Sequence, residues 1–270
     1  MDLMLVLQNL RKIFHRNTID EKVAINGVGL EVKEGEFVTV IGSNGAGKTS
    51  LLNLIAGTYL PDEGKIFIHG RDVTNLPEYR RAGYLGRIFQ NPLMGTASSM
   101  TIEENLSMAE LRGRSRGLAW GVTRKQRVRY QELLKPLDLG LENRLRDRVS
   151  LLSGGQRQCL TLLMATLSLP RLLLLDEHTA ALDPKTAEKV IHLTDRIVRE
   201  NHLTTIMVTH NMVQAIQFGD RMIMLHEGKI QFDIHAEEKK NLTVEEVVKR
   251  FGEKMLLEDE TLLCKPVGTR

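Results

Sequence analysis

The stretch Gly42-Ser43-Asn44-Gly45-Ala46-Gly47-Lys48-Thr49, followed by Ser50, fits the spacing G-x-x-x-x-G-K-[ST]. Glycines so spaced let backbone N–H groups turn inward around an anion, and the N-terminus of a following helix adds positive potential. Lys48 is then placed to reach the β and γ phosphates of a nucleotide, and the Thr49 hydroxyl to take a position on Mg²⁺. The plainer alternative, a glycine-rich turn that holds nothing, has the lysine, the threonine and the flanking elements against it. A second pair, Asp176-Glu177, closes the apolar run RLLLLDE. A carboxylate at such a strand end holds Mg²⁺, and an adjacent one can orient and deprotonate an attacking water. Taken alone, the pair is equally an exposed acidic turn. A third stretch, LLSGGQRQ (151–158), sets a serine and two glycines where a helix is about to start, a place suited to receive a group.

These residues need particular elements to hold them. LMLVLQNL, VGLEVKEG and EFVTVIG read as strands, the last an almost continuous apolar run as burial on both faces requires. LLNLIAG continues from the glycine loop as a helix, and KIFIHG and LGRIFQ read as two more strands. From about Asn91 to Ser150 the texture turns helical: MTIEENLSMAEL opens with a capping box of Thr101 and Glu104, and TRKQRVRYQELLKPL reads as a second helix. After LLSGGQ the order is helix, strand (RLLLLDE), helix (PKTAEKVIHLTDRIVRE), strand (LTTIMVTH), helix and a strand pair. Such alternation argues for a mostly parallel sheet covered by helices. The expected organisation is a β subdomain and first part of the core over 1–90, and an inserted helical subdomain over 91–150 whose last helix continues to about 168. The rest of the core follows over 169–235, with a C-terminal helical extension over 236–270 opened by a capping box of Thr243 and Glu246.

Composition sets bounds. The chain of 270 residues, 42% hydrophobic and 26% charged with net charge +3, is that of an ordinary globular protein and too weakly basic to argue for nucleic acid. Two cysteines, Cys159 and Cys264, make no disulfide framework and suit a reducing compartment, Cys159 packing inside. The N-terminus lacks the layout of a cleavable signal, and the run from Leu160 to Leu175 is broken by Pro170 and Arg171, so it cannot span a bilayer. Any membrane role therefore needs a partner that supplies the span. His69, His192, His202, His226 and His235 lack metal-ligand spacing. The basic stretch LRGRSRGLAWGVTRKQRVR, with Trp120 and Tyr130 as its aromatics, reads as a solvated helix face with a loop rather than a lipid or nucleic-acid surface.

The set GSNGAGKT, IFQNP, LSGGQ, LLLLDE, ALD and VTH, in this order, resembles the ATP-binding-cassette ATPases over nearly the whole chain. The resemblance implies an α/β fold: a P-loop NTPase core with a mostly parallel sheet, an antiparallel β subdomain and an inserted α-helical subdomain. It implies ATP and Mg²⁺ as ligands, with Asp176, Thr49 and Gln90 at the metal. Gln90 takes the place of a glutamine that senses metal and water, and His210 that of a switch histidine beside the γ-phosphate and the attacking water. Asp183 lies in the loop that communicates across a dimer, and Phe14 falls where an aromatic ring stacks on adenine, although ordinary packing is an alternative for it. Ser153, Gly154, Gly155 and Gln156 would face ATP held by a second copy of the chain, making ATP the glue of a head-to-tail dimer.

The resemblance further implies a subunit on the cytoplasmic face of the cell membrane, working with integral permease subunits, an extracytoplasmic substrate-binding protein and no nucleic acid. GKIFIHGRDVTNLPEYRRAGYLGRIFQNP is similar to the ATPases of amino-acid uptake systems, and DEHTAALD to those for tryptophan or tyrosine. Uptake of an amino acid is the expectation. Lipid extraction or export, and a soluble non-transport ATPase, stand as alternatives. One departure is His178, where most relatives carry proline. Its two readings are a titrating contact at the dimer interface and a turn residue bonded locally.

Overall fold

The computed structural model describes residues 2–113 and 121–251; Trp120 and Cys264 lie outside them. The chain runs through β1 (Leu3–Phe14), β2 (Lys22–Lys33), β3 (Phe37–Ile41), α1 (Lys48–Ala56), β4 (Glu63–Ile68), β5 (Arg71–Asp72) and α2 (Glu78–Arg81). It continues with β6 (Leu85–Ile88), α3 (Ile102–Glu110), α4 (Arg124–Leu134), α5 (Gly154–Thr166), β7 (Leu172–Asp176) and α6 (Pro184–Glu200). The last stretch holds β8 (Thr204–Val208), α7 (Met212–Gln217), β9 (Arg221–His226), β10 (Lys229–Ile234), α8 (Ala236–Lys239) and α9 (Val244–Phe251). Two compact units result, one of residues up to Arg81 together with those from His202 onward, the other from Ala82 to Asn201.

In the first unit β1 pairs antiparallel with β2 and β4 in a sheet ordered β2-β1-β4-β5. The alternation in LMLVLQNL foretells a strand, but β1 runs on to Phe14 because register shifts near Asn9, itself at φ 48°, let the ladder absorb the break in pattern. Strand β3, buried at all five positions, lies parallel between β8 and β9. A Met-rich cluster of Met212, Met222 and Met224 with Ile41 and Ile234 receives Val247 of α9, which ties the start of the C-terminal extension into this core. The Thr243–Glu246 box is formed as expected.

In the second unit β6 and β7 pair in parallel, and the chain between them builds a helical cluster in which Ile102, Leu106, Tyr130, Leu134, Leu160 and Met164 pack together. Three helices here start with full capping boxes, at Thr101–Glu104, Thr123–Gln126 and Ser153–Gln156. The basic charge of α4 is answered from α3. Arg127 donates twice to Glu103 at 2.6 and 2.8 Å, and Arg129 pairs with Glu110. Tyr130 is no surface aromatic: it is fully buried, with its hydroxyl donating to Glu110 Oε2 at 2.7 Å. Cys159 is buried, which pushes its thiol up to about 11 and leaves it inert at neutral pH.

Arg81 in α2, which nothing in the sequence singles out, is fully buried, and among the described residues its hydrogen-bond partners are carbonyls rather than carboxylates. Its guanidinium donates to the carbonyls of Leu54 (2.7 Å), Ile55 (2.9 Å), Leu76 (2.7 Å) and Thr74 (3.0 Å). Two of these are carbonyls in the last turn of α1, where Leu54 O also accepts from Gly57 N–H at 3.2 Å. Burial lowers the Arg81 pKa to about 10, with Asp72 opposing, so the charge persists at neutral pH. Replacing Arg81 by Met is expected to lower unfolding stability by about 2–4 kcal/mol, because buried carbonyls lose their donors. Replacement by Lys is expected to recover only part, since an ammonium lacks the planar fork. Urea denaturation of the two variants checks this.

Candidate functional site

In the first unit, β3 ends in a crowded place. A Cβ on Gly42 would fall inside the contact shell of the Leu225 carbonyl, and one on Gly47 inside that of the Ala24 carbonyl. Both residues have positive φ, 154° and 103°, so their backbone is one that a side chain disfavours as well. The loop is braced from the β9–β10 turn, where Gly228 N–H donates to Ala46 O at 3.0 Å and Gly228 O accepts from Asn26 N–H at 2.9 Å. Helix α1 then begins without a side-chain cap and without an acid in its first turn. Its first N–H groups and those of the loop thus form a wall suited to an anion. Lys48, only 6% exposed, folds back over the loop and donates to Gly42 O (2.7 Å) and Ser43 O (3.0 Å). Asn44, Gly45 and Thr49 are exposed, Ser43 and Ser50 half-buried and Ala46 buried.

The same unit brings His210 to the same end of the sheet. Val40 of β3 is in register with Val208 of β8, so Gly42 and His210 each stand two residues beyond a matched pair. Ligand sites in parallel sheets gather at such carboxyl ends. His210 is held between Thr209, whose N–H donates to Val40 O (3.1 Å), and Asn211, whose side chain caps α7 at Gln214 N–H (3.0 Å). Phe14 ends β1, half-buried. Its ring meets that of Tyr59 edge to face at 5.2 Å and 75°, and the Lys12 ammonium stands 5.8 Å from its centre. Tyr59 and Gly228 carry no signal in the sequence, because only the fold brings them to Phe14 and to the glycine loop.

The second unit repeats the arrangement with other chemistry. Ile88 of β6 pairs with Leu175 of β7, so Gln90 and Glu177 are each two residues past it. Gln90 Nε2 donates to Glu177 Oε2 at 2.9 Å. Asp176 is 5% exposed, with Arg87 Nη2 at 3.8 Å. Glu177 stands at φ 44°, and its carbonyl accepts from Ala180 N–H at 2.9 Å to close a turn. His178 in that turn is 2% exposed and 3.0 Å from Thr194 Oγ1. Its partner lies well along α6, so the ring is bonded, but not locally as the plainer of its two readings expects.

At the start of α5 the Ser153 hydroxyl accepts from Gln156 N–H (3.3 Å), and Gln156 Oε1 accepts from Ser153 N–H (3.1 Å). The Gln156 amide also reaches Leu139 O at 3.5 Å, which places this side chain on its own unit's backbone. Ser153 and Gly154 are exposed. Gly155 is not, and a Cβ there would collide with the Thr186 methyl. Thr186 N–H in turn donates to Asp183, the N-cap of α6, at 3.1 Å, and the hydrogen bonds from Thr186 hold the Asp183 carboxyl below the usual carboxylate range.

Residues 25–180 match the family described as ABC transporter. The chain is 46% identical over 248 residues to a tyrosine transport ATP-binding protein of Clostridioides difficile (strain R20291), covering 92% of this chain and 98% of that one. It is 36% identical over 232 residues to the spermidine/putrescine import ATP-binding protein PotA of Spiroplasma citri, covering 84% of this chain and 60% of that longer one. Among solved structures, the dimeric post-hydrolysis state of the ATP-binding cassette MJ0796 bound to ADP and Pi is similar, with a TM-score of 0.73 and 31% identity over 86% of this chain and 99% of that one.

Burial pushes the His178 imidazole from its ordinary 6.5 down to about 4. The unfolded chain takes up a proton as pH falls through 6.5, while the folded chain does not until about 4. The stabilisation is therefore complete above 6.5 and is lost as pH falls through that window, by up to about 3 kcal/mol. A His178→Gln variant is expected to flatten this acid limb when urea midpoints are compared between about pH 7 and about pH 4.5.

Proposed function

The chain belongs to the ABC transporter family, and from that premise we propose that it is the ATP-hydrolysing subunit of an amino-acid importer. The observation that carries the reading is the cradle after β3. Its glycines stand where carbonyls leave no room for side chains, at a helix start with no acid or cap, and Lys48 lies folded across it. A triphosphate answers each of those features. The backbone N–H groups take its non-bridging oxygens, and Lys48 exchanges two loop carbonyls for phosphate oxygens.

Thr49, Gln90 and Asp176 offer the hard oxygen donors that Mg²⁺ prefers. Bound there, the metal would neutralise charge on the phosphates. Glu177 serves as the base. Its Oε2 accepts from the Gln90 amide, the carboxylate takes a proton from water, and His210 orients that water at the γ-phosphate. Phe14, with Tyr59 beside it, offers an aromatic surface for the adenine.

The start of α5 acts on the nucleotide of a second copy. Ser153 accepts in its capping box, so its hydroxyl proton is left to give to a phosphate, and the exposed Gly154 lets the backbone approach closely. Two copies would then close on two ATP molecules with two-fold symmetry, and Asp183 would lie at the seam. Among the described residues no helix is long and apolar enough to cross a membrane. In this reading separate permease subunits supply the membrane span, and this chain serves them from the cytoplasmic face, with an extracytoplasmic binding protein delivering the cargo. The tyrosine transport relative, matched over almost its full length, favours an aromatic amino acid as that cargo.

The test is Glu177→Gln beside Lys48→Ala. The first is expected to lower ATP turnover about a hundredfold or more while ATP binding persists. The second is expected to weaken ATP binding itself about tenfold or more. Turnover like that of the unaltered chain in the glutamine variant would remove Glu177 from the base role. The transport half is tested by gentle solubilisation of native membranes. Stoichiometric recovery of an integral membrane protein is expected, and recovery with ribosomes or DNA instead would overturn it.

A further inference from the structure

His178 directly follows Glu177, yet the proposed ATP chemistry gives it nothing to do. It is buried, in a turn whose ends are held by β7 on one side and by the Asp183 cap of α6 on the other. Its Nε2 lies 3.0 Å from Thr194 Oγ1, eleven residues into a helix of seventeen. The Thr194 hydroxyl gives its one proton to Val190 O at 2.8 Å. Toward the ring it can therefore only accept, so the imidazole proton sits on Nε2 and the ring is the donor. Thr194 is fully buried, so no water competes for the bond.

Glu177 stands at φ 44°, a left-handed conformation that an L-residue other than glycine, asparagine or aspartate rarely keeps unless its surroundings impose it. The Ala180–Glu177 hydrogen bond closes the turn but moves with it. The His178–Thr194 bond differs in kind, because it fastens the interior of the turn to another element. Released from it, the turn can relax toward negative φ at Glu177, and the carboxylate leaves its 2.9 Å contact with Gln90.

We propose that His178 is a positioning residue for Glu177: its Nε2–H, anchored on Thr194 within α6, holds the strained turn that aims the carboxylate. The inference rests on the reading of Glu177 as the base. It makes α6, the helix whose start carries Asp183, a mechanical support of the hydrolytic group. A displacement of α6 would then alter the aim of the base without touching the nucleotide.

The experiment uses the purified full chain, with ATP turnover and equilibrium ATP binding both measured. Thr194→Val keeps the branched shape and removes the acceptor, and Thr194→Ser keeps the hydroxyl. The valine variant is expected to lose about tenfold in kcat with ATP affinity within about twofold, while the serine variant stays within about threefold of the unaltered chain. An unchanged kcat in the valine variant, equal losses in both, or a joint loss of kcat and affinity would overturn the proposal. Should the valine variant fail to fold, His178→Gln, whose amide can still donate to Thr194, is set against His178→Leu. Turnover kept with glutamine and lost with leucine supports the tether, and equal behaviour overturns it. If neither valine nor leucine folds, the bond serves stability at large and the proposal falls. Glu177→Gln run alongside separates the two levels. An active glutamine variant there defeats the reading of the base, whereas an inactive one beside a fully active Thr194→Val defeats only this inference.

Discussion

Two backbone carbonyls, of Ala24 and Leu225, stand so close to the loop after β3 that no side chain fits at Gly47 or Gly42. That crowding is the constraint from which the cradle follows. Stripped of side chains at those points, the loop turns N–H groups inward, and its own carbonyls face Lys48. The crowding carbonyls come from β2 and from the end of β9, far apart in the chain, so the cradle exists only once both the antiparallel and the parallel sheets of the first unit have formed. Gly228 adds the brace, one N–H to Ala46 O and one carbonyl to Asn26. Strand β3 is buried at all five positions and paired in parallel on both edges, with β8 and with β9, which fixes where the loop begins.

The second unit solves a different problem with the same device. It presents two carboxylates side by side, to which the proposed function gives two tasks, one at a cation and the other at a proton. Parallel pairing of β6 with β7 sets Gln90 beside Glu177, and a neutral amide there engages one carboxylate oxygen without cancelling the charge. Asp176 is drawn inward, nearly buried, with the Arg87 guanidinium at 3.8 Å. Two acids that are neighbours in the sequence thus stand in different surroundings.

What could be read beforehand was whatever lies close together in the chain. The glycine loop, the strand that ends in Asp176-Glu177 and the capping boxes at Thr101 and Thr243 are all local patterns with local causes. The capping boxes at Thr123 and Ser153 obey the same rule with glutamine in place of glutamate, and the Gln156 side chain is spent on Ser153 and Leu139. Arg81, Tyr59 and Gly228 were illegible for one common reason. Each is defined by a partner that only tertiary structure supplies: the α1 carbonyls, the Phe14 ring and the glycine loop. Tyr130 misled because a residue amid basic neighbours looks exposed, whereas the helical period turns it into the core.

The two glycines at the start of α5 show how one short pattern can answer two separate demands. A Cβ at Gly154 would meet only ordinary contact, 3.5 Å from Leu182 Cδ2, so nothing in the chain itself forbids a side chain there. Gly155 is different, since the Thr186 methyl occupies the place its Cβ would take. The second glycine is therefore demanded from within, by close packing of α5 against the capped start of α6. The first, exposed beside Ser153, has no such internal cause. A small residue at a solvent-facing helix start, with a hydroxyl beside it, is what the proposed approach of a second copy's nucleotide asks for. The two glycines thus differ in kind along the same helix turn, Gly155 set by the packing of α6 and Gly154 open toward solvent.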